Sequence, residues 1–139
     1  MKRLMTAVFF ALSFFSAGAQ QPVTALIPIP VSFQTASGAF NVTGNTTIEL
    51  SGADASAQRV ATMLSQRLAA PTGFAVKVAN VNTSTTADGN IRLALVKDAA
   101  LGPEGYKLTI NSNGVSIAAN SAAGLFYGAQ SFLQLLPKE

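Results

Sequence analysis

The sequence predicts a small α+β domain, with a mixed or antiparallel sheet and two packed helices, preceded by a signal peptide. Three observations carry this expectation. Apolar residues recur at helical spacing in two stretches, 54–69 and 121–136. Between them, alternating apolar and polar residues flank Asn113-Gly114, a hairpin signature. The first residues run from basic through apolar to small, the order of a secretory leader.

The leader begins with Met1, Lys2 and Arg3. An apolar run from Leu4 to Phe15 follows, broken only by Thr6 and Ser13, and Ser16-Ala17-Gly18-Ala19 supplies an A-x-A site. Cleavage between Ala19 and Gln20 is expected, which divides the chain into a signal peptide (1–19) and a single domain (20–139). The apolar run is too short to act as an anchor, since a helix needs about 20 residues to cross the hydrocarbon layer. The expected location is therefore periplasmic or extracellular, with no membrane attachment once the leader is removed.

After the leader, the two prolines of Ala25-Leu26-Ile27-Pro28-Ile29-Pro30-Val31 exclude a helix and disfavour a central strand, which leaves an extended lead-in or edge segment. Ser32 to Phe40, with Gly38 inside, reads as a short hairpin-like excursion, and Thr47-Ile48-Glu49-Leu50 as a strand. In the first helix Ala57, Val60, Ala61, Leu64 and Leu68 make the inward stripe. Ser51 or Asp54 is available as cap, and Pro71 with Gly73 forms the stop. Two strands are expected at Phe74–Val78 and Ile91–Val96, joined by an exposed loop from Asn80 to Asn90.

In the hairpin, Tyr106, Leu108 and Ile110 alternate with Lys107 and Thr109, and Val115, Ile117 and Ala119 follow the turn. With Asn113-Gly114 at the tip of a type I′ turn, Ile110 is expected to face Ile117, and Leu108 to face Ala119. The second helix carries Leu125, Phe126, Ala129, Phe132, Leu133 and Leu136, is capped by Asn120 or Ser121, and stops at Pro137. Gly124 and Gly128 disfavour helix by up to about 1 kcal/mol each relative to Ala. They make one face smooth, either for the domain's own sheet or for an external neighbour.

Composition excludes several functions. The sequence has no Cys and no His, so disulfides, thiol or Ser-His-Asp nucleophiles and zinc sites of the usual kinds are absent. No phosphate-cradling glycine loop occurs, and neither a cofactor nor a metal is expected. Removing Lys2 and Arg3 from the nine cations leaves seven against six acids. The seven are scattered, which argues against nucleic acid as a partner. Asn41-Val42-Thr43, Asn45-Thr46-Thr47 and Asn82-Thr83-Ser84 fit the glycosylation acceptor pattern, as chance also allows in so Asn- and Thr-rich a chain.

Three segments carry a resemblance. Leu26-Ile27-Pro28-Ile29-Pro30 is similar to the "IPxP" opening of the amino-terminal domain of family 20 glycoside hydrolases, the chitobiase-like β-N-acetylhexosaminidases. Leu101-Gly102-Pro103-Glu104-Gly105-Tyr106-Lys107-Leu108 resembles that domain's "EGY.L" strand. The run Ala123-Gly124-Leu125-Phe126-Tyr127-Gly128-Ala129-Gln130-Ser131-Phe132-Leu133-Gln134-Leu135-Leu136-Pro137 resembles its "GLFYGxQTLLQLLP" helix. The three occur in the family's order and extend over most of the chain after the leader.

The resemblance implies a small α+β domain preceding a (β/α)8 barrel that holds the active site. There the substrate's own 2-acetamido group attacks the anomeric carbon, an Asp orients it, and an adjacent Glu is the general acid. Here the acids are Glu49, Asp54, Asp88, Asp98, Glu104 and Glu139, and no two are adjacent, so no catalytic residue is carried over. The expectation is an accessory domain, given as a fragment or a truncated product, with the barrel as partner in cis and N-acetylhexosamine-containing glycans as ligands of that barrel. The expected docking surface is the closing helix, at Leu125, Phe126, Tyr127, Gly128, Phe132 and Leu133. Two alternatives stay open: a domain of another barrel glycosidase, and an independent sugar-binding or structural module in which Tyr106 or Tyr127 stacks on a sugar ring.

Overall fold

A computed structural model describes residues 26–35, 38–52, 54–82 and 87–137 of the protein. The expected signal peptide, its Ala19-Gln20 junction and Glu139 lie outside them. The elements are β1 (Thr47–Ser51), α1 (Ala55–Thr72), β2 (Lys77–Val81), β3 (Asn90–Leu95), a 3-10 turn at Ala99–Leu101, β4 (Tyr106–Asn111), β5 (Gly114–Ala119) and α2 (Ala122–Leu135).

The five strands form one mixed sheet in the order β2-β1-β3-β5-β4. Every neighbouring pair is parallel except β4 with β5. Alternation sends Ile48, Leu50, Ile91, Leu93, Val115 and Ile117 to one face, where they are buried under both helices. α1 packs on β1, β2 and β3, α2 on β5, β4 and β3, and the two helices touch each other. This is the expected α+β architecture.

Local chemistry explains the helix ends. Asp54 caps α1, its carboxylate accepting from the N–H groups of Ser56 (2.9 Å) and Ala57 (2.7 Å). The five residues expected to face inward, Ala57, Val60, Ala61, Leu64 and Leu68, are all buried. α1 runs past Ala69 to Thr72, with Pro71 inside its last turn. There a proline removes a single donor, and the Thr72 hydroxyl adds a bond to the Leu68 carbonyl (2.6 Å). Gly73 then adopts φ 70° and donates to the Ala69 carbonyl, a left-handed helix stop.

Three expectations are corrected. The strand placed at Phe74–Val78 begins three residues later, at Lys77. Val76 is held instead by a tight turn to the Phe74 carbonyl, and its own carbonyl accepts from the Ser65 hydroxyl of α1. The hairpin-like excursion expected from Ser32 to Phe40 forms no strand among the described residues, and the lead-in takes the non-strand alternative. It bends at residues 26–28, includes a cis Ile27-Pro28 bond, and inserts Phe40 beside Phe132 (ring centroids 6.4 Å apart).

The hairpin register is the third correction. Ile110 pairs with Val115, Leu108 with Ile117 and Tyr106 with Ala119, which puts Ser112-Asn113 at the tip. Neither tip residue has positive φ, so the turn is not type I′. The cause is Asn111, whose side-chain carbonyl accepts from the N–H groups of Asn113 (2.9 Å) and Gly114 (3.1 Å) and closes the turn one residue early. The shift changes each partner by two positions, so the apolar faces still match.

Glu49 and Arg92 are register partners on β1 and β3, on the face away from the helices, and both are buried. Because β2 and β3 run parallel on opposite sides of β1, the connection between them has to cross β1. Its described end lies on Glu49: Asn90 donates its side-chain amide to the carboxylate (2.7 Å), and Ala87 its backbone N–H (3.4 Å). Arg92 donates to the Ser51 hydroxyl (3.1 Å).

Candidate functional site: an apolar surface beside the closing helix

The acids are separated by the fold. Glu49 is buried on the far side of the sheet, Asp54 caps α1, and Asp98 caps the 3-10 turn by accepting from the Ala100 N–H. Glu104 is exposed in the loop before β4, and its carboxylate makes no hydrogen bond among the described residues. Among the described residues no three His, Cys, Asp or Glu side chains come together. Two surface depressions are open to solvent. One lies between Val96, Lys97, Asp98 and Asn120, the other beside the hairpin tip at Asp88, Thr109, Asn111 and Ser116. Neither contains a pair of carboxylates.

The loop from Asp98 to Gly105 is fixed to the start of α2. The Asn120 amide group donates to the carbonyls of Asp98 (2.6 Å) and Gly102 (2.8 Å), and its oxygen accepts from the Asp98 N–H (2.8 Å). Ser121, the N-cap of α2, donates to the Pro103 carbonyl and accepts from the Gly124 N–H. A Cβ on Gly124 would stand 2.5 Å from the Gly105 carbonyl oxygen, and one on Gly128 would overlap Ile117 and approach the Tyr106 ring to 3.2 Å. Both glycines therefore face the domain's own hairpin. The smooth side of α2 is used internally.

The residues expected to form the docking surface consequently divide. Leu125, Gly128 and Phe132 are buried in the domain's own core, and Leu133 packs partly against it. Phe126 and Tyr127 point outward as an edge-to-face pair with centroids 5.8 Å apart, and Leu135 is exposed further along. Of the two tyrosines considered for sugar stacking, Tyr106 lies under Gly128 with its hydroxyl bonded to Ser131 (2.6 Å), leaving only Tyr127 with an open ring.

The lead-in extends this surface. The Gln134 side chain and the Ile27 backbone exchange two hydrogen bonds, at 2.9 and 3.1 Å, which attach the lead-in to the last turn of α2. Leu26 is buried, whereas Ile27, Ile29, Val31 and Phe33 are exposed. Sequence reading missed this contribution, although four large apolar residues at alternate positions around two prolines are its signal.

Comparison with known proteins gives one answer. Residues 23–139 match the model of glycosyl hydrolase family 20, domain 2. A β-hexosaminidase of Porphyromonas gingivalis is 33% identical over 115 residues, 82% of this chain and 14% of that protein. A lacto-N-biosidase of Bifidobacterium bifidum is 36% identical over 83 residues, 60% of this chain and 7% of that protein. The solved family 20 β-N-acetylhexosaminidase of Streptomyces coelicolor superposes with a TM-score of 0.73 at 36% identity, covering 84% of this chain and 22% of that one. The chain thus spans less than a quarter of the length of each of these relatives, and by family model, identity and fold together it belongs to glycosyl hydrolase family 20, as that family's domain 2.

Proposed function

We propose that the chain is the non-catalytic amino-terminal accessory domain of an exported β-N-acetylhexosaminidase, and that it supports a catalytic barrel through the outer face of α2. The supporting observation is the combination of a complete domain core with an outward aromatic pair, Phe126 and Tyr127, on the helix that closes that core. Large exposed aromatics beside other apolar residues mark contact surfaces. Among the described residues the carboxylates are dispersed, which supports a role without the paired-acid chemistry of sugar hydrolysis. In this reading terminal N-acetylhexosamine is the substrate of the barrel. That the domain matches two differently named enzymes supports a reading in which substrate choice belongs to the barrel.

The test is hydrolysis. Purified protein is expected to release no aglycone from an aryl N-acetylglucosaminide. Turnover that co-purifies with the chain and vanishes on Glu104→Gln or Asp98→Asn would overturn the accessory assignment.

A further inference from the structure

We infer that the lead-in segment Ile27–Phe33 is a second, preformed half of the barrel-docking surface, and that its apolar side chains are covered by the catalytic barrel rather than by this domain. The inference rests on the accessory-domain reading above. Ile27 is 80%, Ile29 86% and Val31 108% exposed, and Phe33 is also open, so four large apolar residues within seven positions lie in water. The segment is nevertheless anchored at its start. Leu26, immediately before it, is buried, Ile27 is tied through its backbone to Gln134, and Pro28 and Pro30 restrict the chain between. A segment anchored at one end and restricted by two prolines, while exposing its apolar groups, has the properties of a preorganised contact.

The occupant follows from where α2 ends. Gln134, which holds Ile27, is followed by Leu136 at the helix C-cap and by Pro137, so any polypeptide continuing beyond α2 leaves the domain alongside the lead-in. In the Streptomyces coelicolor enzyme the matched domain is 22% of the chain, and most of that polypeptide lies outside it. A barrel connected at this point meets Ile27, Ile29 and Val31 beside the junction, with Phe126 and Tyr127 about two turns back along the same helix.

The test replaces the matching domain of the Streptomyces coelicolor enzyme with this chain and installs the photo-crosslinker p-benzoylphenylalanine at position 29, 126 or 107. Lys107 is exposed on the sheet face away from the helices and serves as control. Irradiation followed by peptide mapping is expected to join positions 29 and 126, but not 107, to barrel peptides. Adducts from 126 alone overturn the lead-in inference and leave the helix-face reading intact, whereas adducts from neither remove both. Concentration-dependent adducts between two copies through position 29 identify a second copy as occupant and also overturn the inference. A second measurement uses the chain by itself. Ile29→Asp and Val31→Asp are expected to shift its Tm by less than about 2 °C, because neither side chain is buried in the domain. A larger fall would show that the segment belongs to the domain's own core.

Discussion

Replacing Gly128 with Ala sets two effects against each other. An interior helical glycine disfavours the helix by about 1 kcal/mol relative to alanine, so on propensity alone Gly128→Ala stabilises. The added methyl, however, would overlap Ile117, which is fully buried, and press on the Tyr106 ring at 3.2 Å. Neither neighbour can withdraw, since Ile117 is enclosed by the core and Tyr106 is held by its 2.6 Å bond to Ser131. Overpacking at such a site costs about 2–3 kcal/mol. The expected net effect is a loss of about 1–2 kcal/mol, seen as a fall in Tm of about 4–8 °C in thermal denaturation followed by circular dichroism. Gly44→Ala is the control, because a methyl there meets only the Phe74 ring at 3.7 Å. In an Ile117→Ala background the second substitution should cost less, as the two share one space. A Tm for Gly128→Ala equal to or above that of the wild type would falsify the close helix–hairpin contact.

Asn120→Ala removes three hydrogen bonds that hold the 98–105 loop, and is expected to lower the free energy of urea unfolding by about 2 kcal/mol. A loss below about 0.5 kcal/mol would mean that solvent replaces the amide group without penalty. Expressed in a bacterium with residues 1–19 present, the protein is expected outside the cytoplasm with Gln20 as its first residue. Mass spectrometry that finds residues 1–19 still attached to exported protein would contradict this.

What the sequence revealed depended on how local its cause was. The inward residues of α1 and its Asp54 cap were legible because three- and four-residue spacing and a side chain reaching two residues ahead are local matters. The faces of β4 and β5 were legible for the same reason. Their register was not, because Asn111 competes with Asn113-Gly114 for the turn, and both are good turn formers. The start of β2 depended on Ser65, and the burial of Glu49 and Arg92 on a connection crossing β1, neither of which has a local signature. Within α2 the apolar stripe is so broad that periodicity could not separate the part facing the sheet, with Leu125, Gly128 and Phe132, from the part facing outward, with Phe126 and Tyr127. The alternating apolar residues of the lead-in are visible in the sequence, but the bond that anchors Ile27 to Gln134 has no local signature.

That attachment spans 107 residues and governs the order in which the molecule can be completed. Ribosomes deliver a chain from its amino end, so the lead-in emerges long before its partner on α2. β1 meets the same delay, since both its neighbours in the sheet come later in the chain, and the nearer pairing, with Lys77 opposite Thr47, already encloses the whole of α1. Long loops have to close before such pairings reward the chain, which slows assembly. The lead-in therefore stays unattached until the last helix is available. The same dependence makes the carboxyl end a vulnerable point for shortening. Stopping synthesis before Gln134 would release the opening segment as well as trimming the final helix, and the two termini would be lost from the structure together.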